Sequence, residues 1–343
     1  MKIVIDSAIP YIHGVWEPHA EVVYLSGDQI SAEDVRNADA LIVRTRTRCN
    51  EALLAGSSVR VVATATIGTD HIDLAWCAEN GIRVESAAGC NARGVLQWVS
   101  AARIEVCRRR EWRPQDLTLG VVGVGHVGGL VAEYAEQWGF RVLRCDPPRS
   151  LREGPEGFYS LGEILPQCDI LTIHTPFTRM GDHPTAGLIG SEALALMPSH
   201  AVVLNSARGG IIDEQALVAS GHDFGLDTWM GEPALNPQAL HRALVATPHI
   251  AGYSRQGKAT ATRMACEAVG RALGIAVDFH SPIEPTNIRP ITWEQLQAEM
   301  PQHFDIVAES AVLKASPESA VLKASPENFE QLRNNYAYRQ EFF

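Results

Sequence analysis

Short β-branched runs recur along the chain at intervals that leave room for a helix between them: Ile3–Ile5, Val22–Leu25, Ala40–Val43 and Val59–Ala63, then Leu119–Val124, Arg141–Cys145, Ile170–His174, Val202–Asn205 and Leu244–Thr247. Alternation of this kind admits few folds. Strands separated by helices pair in parallel, and a parallel sheet must be covered by helices on both faces. The runs form two sets, one closing near Gly81-Ile82-Arg83-Val84 and one opening at Leu117. They predict an α/β chain with two doubly wound, Rossmann-like parallel-sheet domains. Between the sets, Asn91 to Arg113 reads as one long helix, with Ala92, Val95, Leu96, Val99, Ala102 and Val106 at near-helical spacing.

A further helical stretch, about Lys258 to Leu273, follows the last strand. If it returns to the first sheet, the first domain is discontinuous: residues 1–93 with 254–280, around a second domain at 94–253. Residues 284–343 form a small helical appendage. Within it, the nine residues Glu309–Pro317 recur identically as Glu318–Pro326. A nine-residue shift turns a helical face by about 180°, so both copies cannot present one side to one surface in an unbroken helix. This is a local duplication, expected to be looped or frayed at its prolines.

Composition excludes several classes. The formal charge of −11 lacks the basic footprint that nucleic-acid phosphates require. No apolar run approaches the roughly 18 residues of a membrane span. An anionic small-molecule substrate would need a local cluster of Arg or Lys. The seven cysteines are scattered, with no CxxC and no zinc-ligand spacing. Lys2-Ile3-Val4-Ile5-Asp6 enters a β-branched run without the pattern of a signal peptide. The expectation is a cytoplasmic protein with reduced thiols, no metal, and neither nucleic acid nor membrane as partner.

Gly123-Val124-Gly125-His126-Val127-Gly128 fits G-x-G-x-x-G, a weak signal by itself. Its context is stronger. It follows an apolar strand, precedes a helix-compatible run from Gly129 to Trp138, and is followed about 20 residues later by a strand ending at Asp146. Gly123, Gly125 and Gly128 permit the tight turn and close approach of a pyrophosphate to a helix N-terminus. Asp146 would bond a ribose diol and repel a 2′-phosphate, which favours NAD over NADP.

Further along, Asn205-Ser206-Ala207-Arg208-Gly209-Gly210 follows a strand end, where an α/β sheet binds ligands, and the planar fork of Arg208 suits a carboxylate. On position alone Arg208 reads first as a surface ion pair, and the next two strand ends argue against that. Asp227, Glu232 and His249 follow at the next strand ends, so carboxylates and a histidine gather at one rim. A histidine held in one tautomer by a carboxylate can take a hydroxyl proton as an alcohol is oxidised by hydride transfer. Glu232 is the candidate carboxylate.

These ordered motifs resemble the NAD-dependent D-2-hydroxyacid dehydrogenases, over about residues 1 to 275. Thr64–His71, Ala88–Val95 and Pro248–Ser254 with Gly257-Lys258 are similar to a branch that oxidises a phosphorylated four-carbon hydroxy acid in vitamin B6 synthesis. Cys145-Asp146-Pro147-Pro148-Arg149 and Leu332-Arg333-Asn334-Asn335-Tyr336 share that likeness. The resemblance implies that Arg208 binds the substrate carboxylate, His249 takes the hydroxyl proton, and Glu232 orients His249. It places NAD against His126 and Val127, Thr175, Ser206 and Ala207, Arg208, Asp227 and Gly252, and substrate against Thr45, Thr66 and Tyr253. Arg44, Arg46, Arg48 and Lys258 are candidates for a phosphate. It further implies a homodimer, with residues 284–343 as a shortened dimerisation segment. Alternatives within the family are 3-phosphoglycerate or an unphosphorylated hydroxy acid as substrate. Outside enzymology, a nicotinamide-sensing protein resembling transcriptional corepressors shares the fold.

Overall fold

The computed structural model describes residues 1–315 and 326–343. The end of the first copy of the duplication and nearly all of the second lie outside the described residues. The chain divides into two compact units, Met1–Asn91 with Ser254–Thr286, and Ala92–Tyr253 with Asn287–Phe343.

The first unit carries β1 (Lys2–Asp6), β2 (Glu21–Leu25), β3 (Ala40–Val43), β4 (Val61–Thr64) and β5 (Arg83–Ser86), all parallel, in the order β2-β1-β3-β4-β5. The inner strands β3 and β4 read Ala-Leu-Ile-Val and Val-Val-Ala-Thr and are buried throughout, because both faces are covered. One face packs Ile3, Ile42 and Val61 against Ala261, Ala265 and Val269 of the helix Arg255–Leu273. That helix starts earlier than its apolar spacing suggests. Ser254 defines the start by accepting the Gly257 N–H at 3.0 Å, and Gly274, at φ +72°, ends it.

The second unit holds β6 (Thr118–Val122), β7 (Arg141–Cys145), β8 (Ile170–Ile173), β9 (Val202–Asn205), β10 (Asp223–Leu226) and β11 (Val245–Ala246). They are parallel in the order β11-β10-β9-β8-β6-β7. From β6 the chain winds outward to β7, then crosses back to β8. The winding reverses there, and the crevice for a ligand opens at the carboxyl ends of β6 and β8. β6 ends at Val122, two residues before the apolar run does, because Gly123 takes φ +84° and turns the chain out of the sheet.

The long helix is Ala92–Arg110. Its sequence shows one apolar stripe, yet Gln97, Ser100, Arg103 and Glu105 on its other sides are buried as well. The cause is cover from several sides, by the helix His126–Gln137 and by the helices Trp293–His303 and Ile306–Lys314 of the C-terminal segment. Arg103 is wholly enclosed, with its guanidinium 5.1 Å from the Trp138 ring and 5.4 Å from the Phe140 ring; burial pulls its pKa down to about 10. Among the described residues, no helix is long and apolar enough to cross a membrane.

Candidate active site

The turn after β6 is built by the absence of side chains. A Cβ on Gly123 would lie 2.8 Å from the His174 carbonyl carbon, and one on Gly128 would lie 1.9 Å from the Gly123 oxygen. A Cβ on Gly125 would meet nothing within 4 Å. Gly125 therefore faces open space at the start of the helix His126–Gln137, which has no side-chain cap. Exposed N–H groups and the positive end of the helix dipole are left for an anion. Asp146, at the end of β7, accepts the Val124 N–H at 2.8 Å and the Arg149 N–H at 3.0 Å, so its carboxylate is fixed beside the glycine turn.

Two hydroxyls show that this crevice fits a polar ligand. Thr175 Oγ1, after β8, and Ser206 Oγ, after β9, are buried without a hydrogen-bond partner among the described residues. Such groups are costly when unmet, and a nucleotide lying along the strand ends would meet them. The residues thus fit NAD: Gly125, His126 and Val127 at the pyrophosphate, Asp146 at a ribose, Thr175 and Ser206 along its length.

After β9 the chain turns sharply. Asn205 braces the turn, its side-chain oxygen accepting the Ala207 N–H and its amide donating to the Arg208 oxygen, both at 2.9 Å. Gly209 is required here, since a Cβ would stand 1.9 Å from the Trp229 oxygen. The turn aims half-buried Arg208 into a cleft of about 1250 Å³, also lined by Phe177, Glu214, Trp229, Glu232 and His249.

On that cleft His249 Nδ1 and Glu232 Oε2 are hydrogen-bonded at 2.8 Å. The other oxygen of Glu232 accepts the Trp229 N–H at 2.8 Å. Burial alone would raise the Glu232 pKa, but the hydrogen bond and charge of His249, the Trp229 N–H and the charge of Arg333 hold it below the usual range. An ionised Glu232 accepts a proton bond from His249 Nδ1, which leaves Nε2 available to a substrate hydroxyl.

His249 sits at φ +57°, unusual for a residue with a side chain, and Asp227 holds it there. The Asp227 backbone oxygen accepts the His249 N–H at 2.8 Å. Its carboxylate accepts the Thr247 hydroxyl at 2.6 Å and the N–H groups of Ile250 and Ala251 at 2.8 and 2.9 Å. Asp227 is thus engaged by its own loop, where the resemblance alone implied a contact with cofactor. Gly252 lies within the turn closed by the bond from Tyr253 N to Ile250 O.

Three residues of this site escaped the sequence. Glu214 is buried beside the Met230 N–H, which it accepts, and burial together with the charges of Glu232 and Asp213 pushes its pKa up to about 7. Arg339 donates to the backbone oxygens of Gly94, Ile250, Ala251 and Tyr253, clamping the loop after His249. Arg333 donates to the Tyr253 hydroxyl at 3.2 Å. Leu332–Tyr336 carried a signal of likeness without a role; Arg339 carried none.

The remaining substrate candidates belong to the first unit. Thr45 and Arg46 are exposed beyond β3, and half-buried Arg44 donates to the Ala8 oxygen at 2.9 Å. Arg48 is exposed in the same loop. Thr66 shares a 2.6 Å hydroxyl bond with Thr64 at the end of β4, and Lys258 lies in the first turn of the helix after Ser254. No group of residues that could hold a metal is found among the described residues.

Residues 91–251 match the family model for the NAD-binding domain of D-isomer specific 2-hydroxyacid dehydrogenases. An erythronate-4-phosphate dehydrogenase of Bacteroides fragilis is 41% identical over 350 residues, covering 99% of this chain and 97% of that one. The chain belongs to the erythronate-4-phosphate dehydrogenase family. Another member of this family, from Marinobacter nauticus, is 42% identical over 287 residues, 81% of this chain and 74% of its own. The NAD-bound 3-phosphoglycerate dehydrogenase of Entamoeba histolytica superposes with a TM-score of 0.66 at 25% identity, over 83% of this chain and 99% of that one. As in the family at large, NAD is the cofactor.

Proposed function

We propose that the protein oxidises 4-phospho-D-erythronate at C2 to the 2-oxo acid, (R)-3-hydroxy-2-oxo-4-phosphobutanoate, in vitamin B6 biosynthesis. The observation that carries the chemistry is the Glu232–His249 pair facing the same cleft as Arg208. The substrate is supported by relatives of that name with near-complete coverage. Bound NAD accepts the hydride from C2. Arg208 grips the carboxylate through its planar fork and polarises the C2 oxygen. His249 Nε2 receives the hydroxyl proton, while Glu232 fixes the ring and stabilises the charge that develops on it. Asp227 keeps the loop in its strained geometry.

NADH formation with 4-phospho-D-erythronate, measured beside 3-phospho-D-glycerate and D-glycerate with a carbonyl trap, tests the substrate. Selective turnover of the first supports the reading. Preference for another acid would keep the chemistry and discard the substrate; NADH binding without turnover would favour a sensor. His249→Ala should lower turnover at least about a hundredfold while NADH still binds. The same reading carries a homodimer, checked by sedimentation equilibrium, and a cytoplasmic location, which seven cysteines outside any disulfide suit.

A further inference from the structure

Arg333 has an unusual position for a residue so late in the chain. It lies in the last turn of the helix Pro326–Asn334, half-buried, and its Nε donates to the Tyr253 hydroxyl. Among the described residues that is its single hydrogen bond to protein, so both terminal Nη groups are left without one. They are not sealed in the interior either, since they are absent from the buried, partnerless atoms of the chain. The guanidinium is held at one edge and offers its fork at the other. Its charge acts on Glu232, the carboxylate that holds His249, and Glu232 acts back on it.

The surroundings fix this arrangement. Arg339 clamps the backbone oxygens of Ile250, Ala251 and Tyr253, and Tyr253 packs between Tyr336 and Tyr338 at ring distances of 6.2 and 5.9 Å. A surface arginine would lose affinity to its own rotamer entropy, whereas one tethered at Nε has already given up much of it. A site that binds a substrate with two anionic groups beside the negative Glu232 needs more positive charge than Arg208 supplies. Two parallel N–H bonds from a planar fork match the oxygens of a phosphate ester.

We propose that Arg333 is a substrate-binding residue that holds the phosphate group of the substrate, with the Tyr253 hydroxyl as its support. The assignment rests on the phosphorylated-acid reading above and gives it a specificity determinant in the C-terminal segment. Arg333→Met and Arg333→Lys, assayed with 4-phospho-D-erythronate and with D-erythronate, test it. Arg333→Met should raise KM for the phosphorylated acid at least about thirtyfold more than KM for D-erythronate, lower kcat for both acids by one shared factor of about threefold or less as Glu232 loses a neighbouring charge, and leave the NADH affinity unchanged. Arg333→Lys should recover part of the loss. Tyr253→Phe should weaken the phosphorylated acid alone, and add little when combined with Arg333→Met.

Equal losses on both acids, or no loss on either, would overturn the assignment. If the wild-type protein does not oxidise 4-phospho-D-erythronate, the substrate reading fails by itself. Inorganic phosphate, assayed as an inhibitor of whichever acid is oxidised or as a ligand of the NADH complex, then decides the matter. Arg333→Met should weaken its binding about tenfold or more; unchanged binding would remove Arg333 from the phosphate site.

Discussion

Nδ1 of His249 and Oε2 of Glu232 lie 2.8 Å apart, and Glu232 spends its second oxygen on the Trp229 N–H. The carboxylate is therefore braced from behind while it orients the ring. Glu232→Gln keeps the shape and removes the charge. Its turnover should fall about a hundredfold with NADH affinity unchanged, because the amide still accepts from Nδ1 but no longer stabilises a charged imidazole. Stopped-flow rates of NADH formation check this; a loss under threefold would show that the pair is structural.

Gly125 and Gly128 should separate fold from cofactor binding. A methyl on Gly125 meets no protein atom within 4 Å, whereas on Gly128 it would overlap the Gly123 oxygen at 1.9 Å. Gly125→Ala should melt within about 2 °C of wild type yet bind NADH at least about tenfold more weakly, since the methyl occupies the space of the pyrophosphate. Gly128→Ala should lose both stability and binding. Melting curves beside fluorescence titrations distinguish the two outcomes.

The carboxyl of Glu214 titrates near 7 in the folded chain against an ordinary 4.5. Between those values the folded chain holds a proton that the unfolded chain has released. The group's contribution to stability is complete below about 4.5 and is lost as pH rises through 7. Relative to wild type, Glu214→Gln should therefore be more stable at pH 8 than at pH 5, by about 1–3 kcal/mol. Urea denaturation at the two values measures the difference, and identical shifts at both would contradict a titrating Glu214.

Arg103 keeps its charge inside the protein with one hydrogen bond, to the Ser100 hydroxyl at 3.2 Å; Nε and Nη1 have no partner among the described residues. Contact with the Trp138 and Phe140 rings offsets part of the desolvation cost, about 2 kcal/mol per ring at best, against several for a buried cation. Arg103→Met should accordingly leave stability within about 1 kcal/mol of wild type or raise it. A loss of more than that in urea denaturation would mean the rings compensate the charge in full.

Much of the nucleotide crevice was legible because its determinants are local. Gly123 to Gly128 encode a turn through φ and close approach, and Asp146 stands one strand later in a fixed pattern. Glu232 and His249 were legible as chemistry, since a carboxylate and a histidine follow neighbouring strand ends in order. The rest depends on long-range packing. Arg339 acts on backbone oxygens more than eighty residues upstream, and a carbonyl has no identity in the sequence to pair it with. The Ala92–Arg110 helix showed one apolar stripe because its other faces are covered by helices whose own sequences do not name their target. For Asp227 the resemblance alone implied a cofactor contact, and nothing in the sequence showed the three donors of its own loop that surround its carboxylate.

The Arg339 clamp also orders events in time. Synthesis delivers the glycine turn, Arg208, Glu232 and His249 well before the guanidinium that gathers the oxygens of Ile250, Ala251 and Tyr253. A nascent chain thus holds every reacting side chain while its histidine loop is still unpinned. Competence would arrive only once Arg339 is in place, and a ribosome that stalls or a protease that cuts ahead of Arg339 would leave a folded nucleotide binder with little catalytic power.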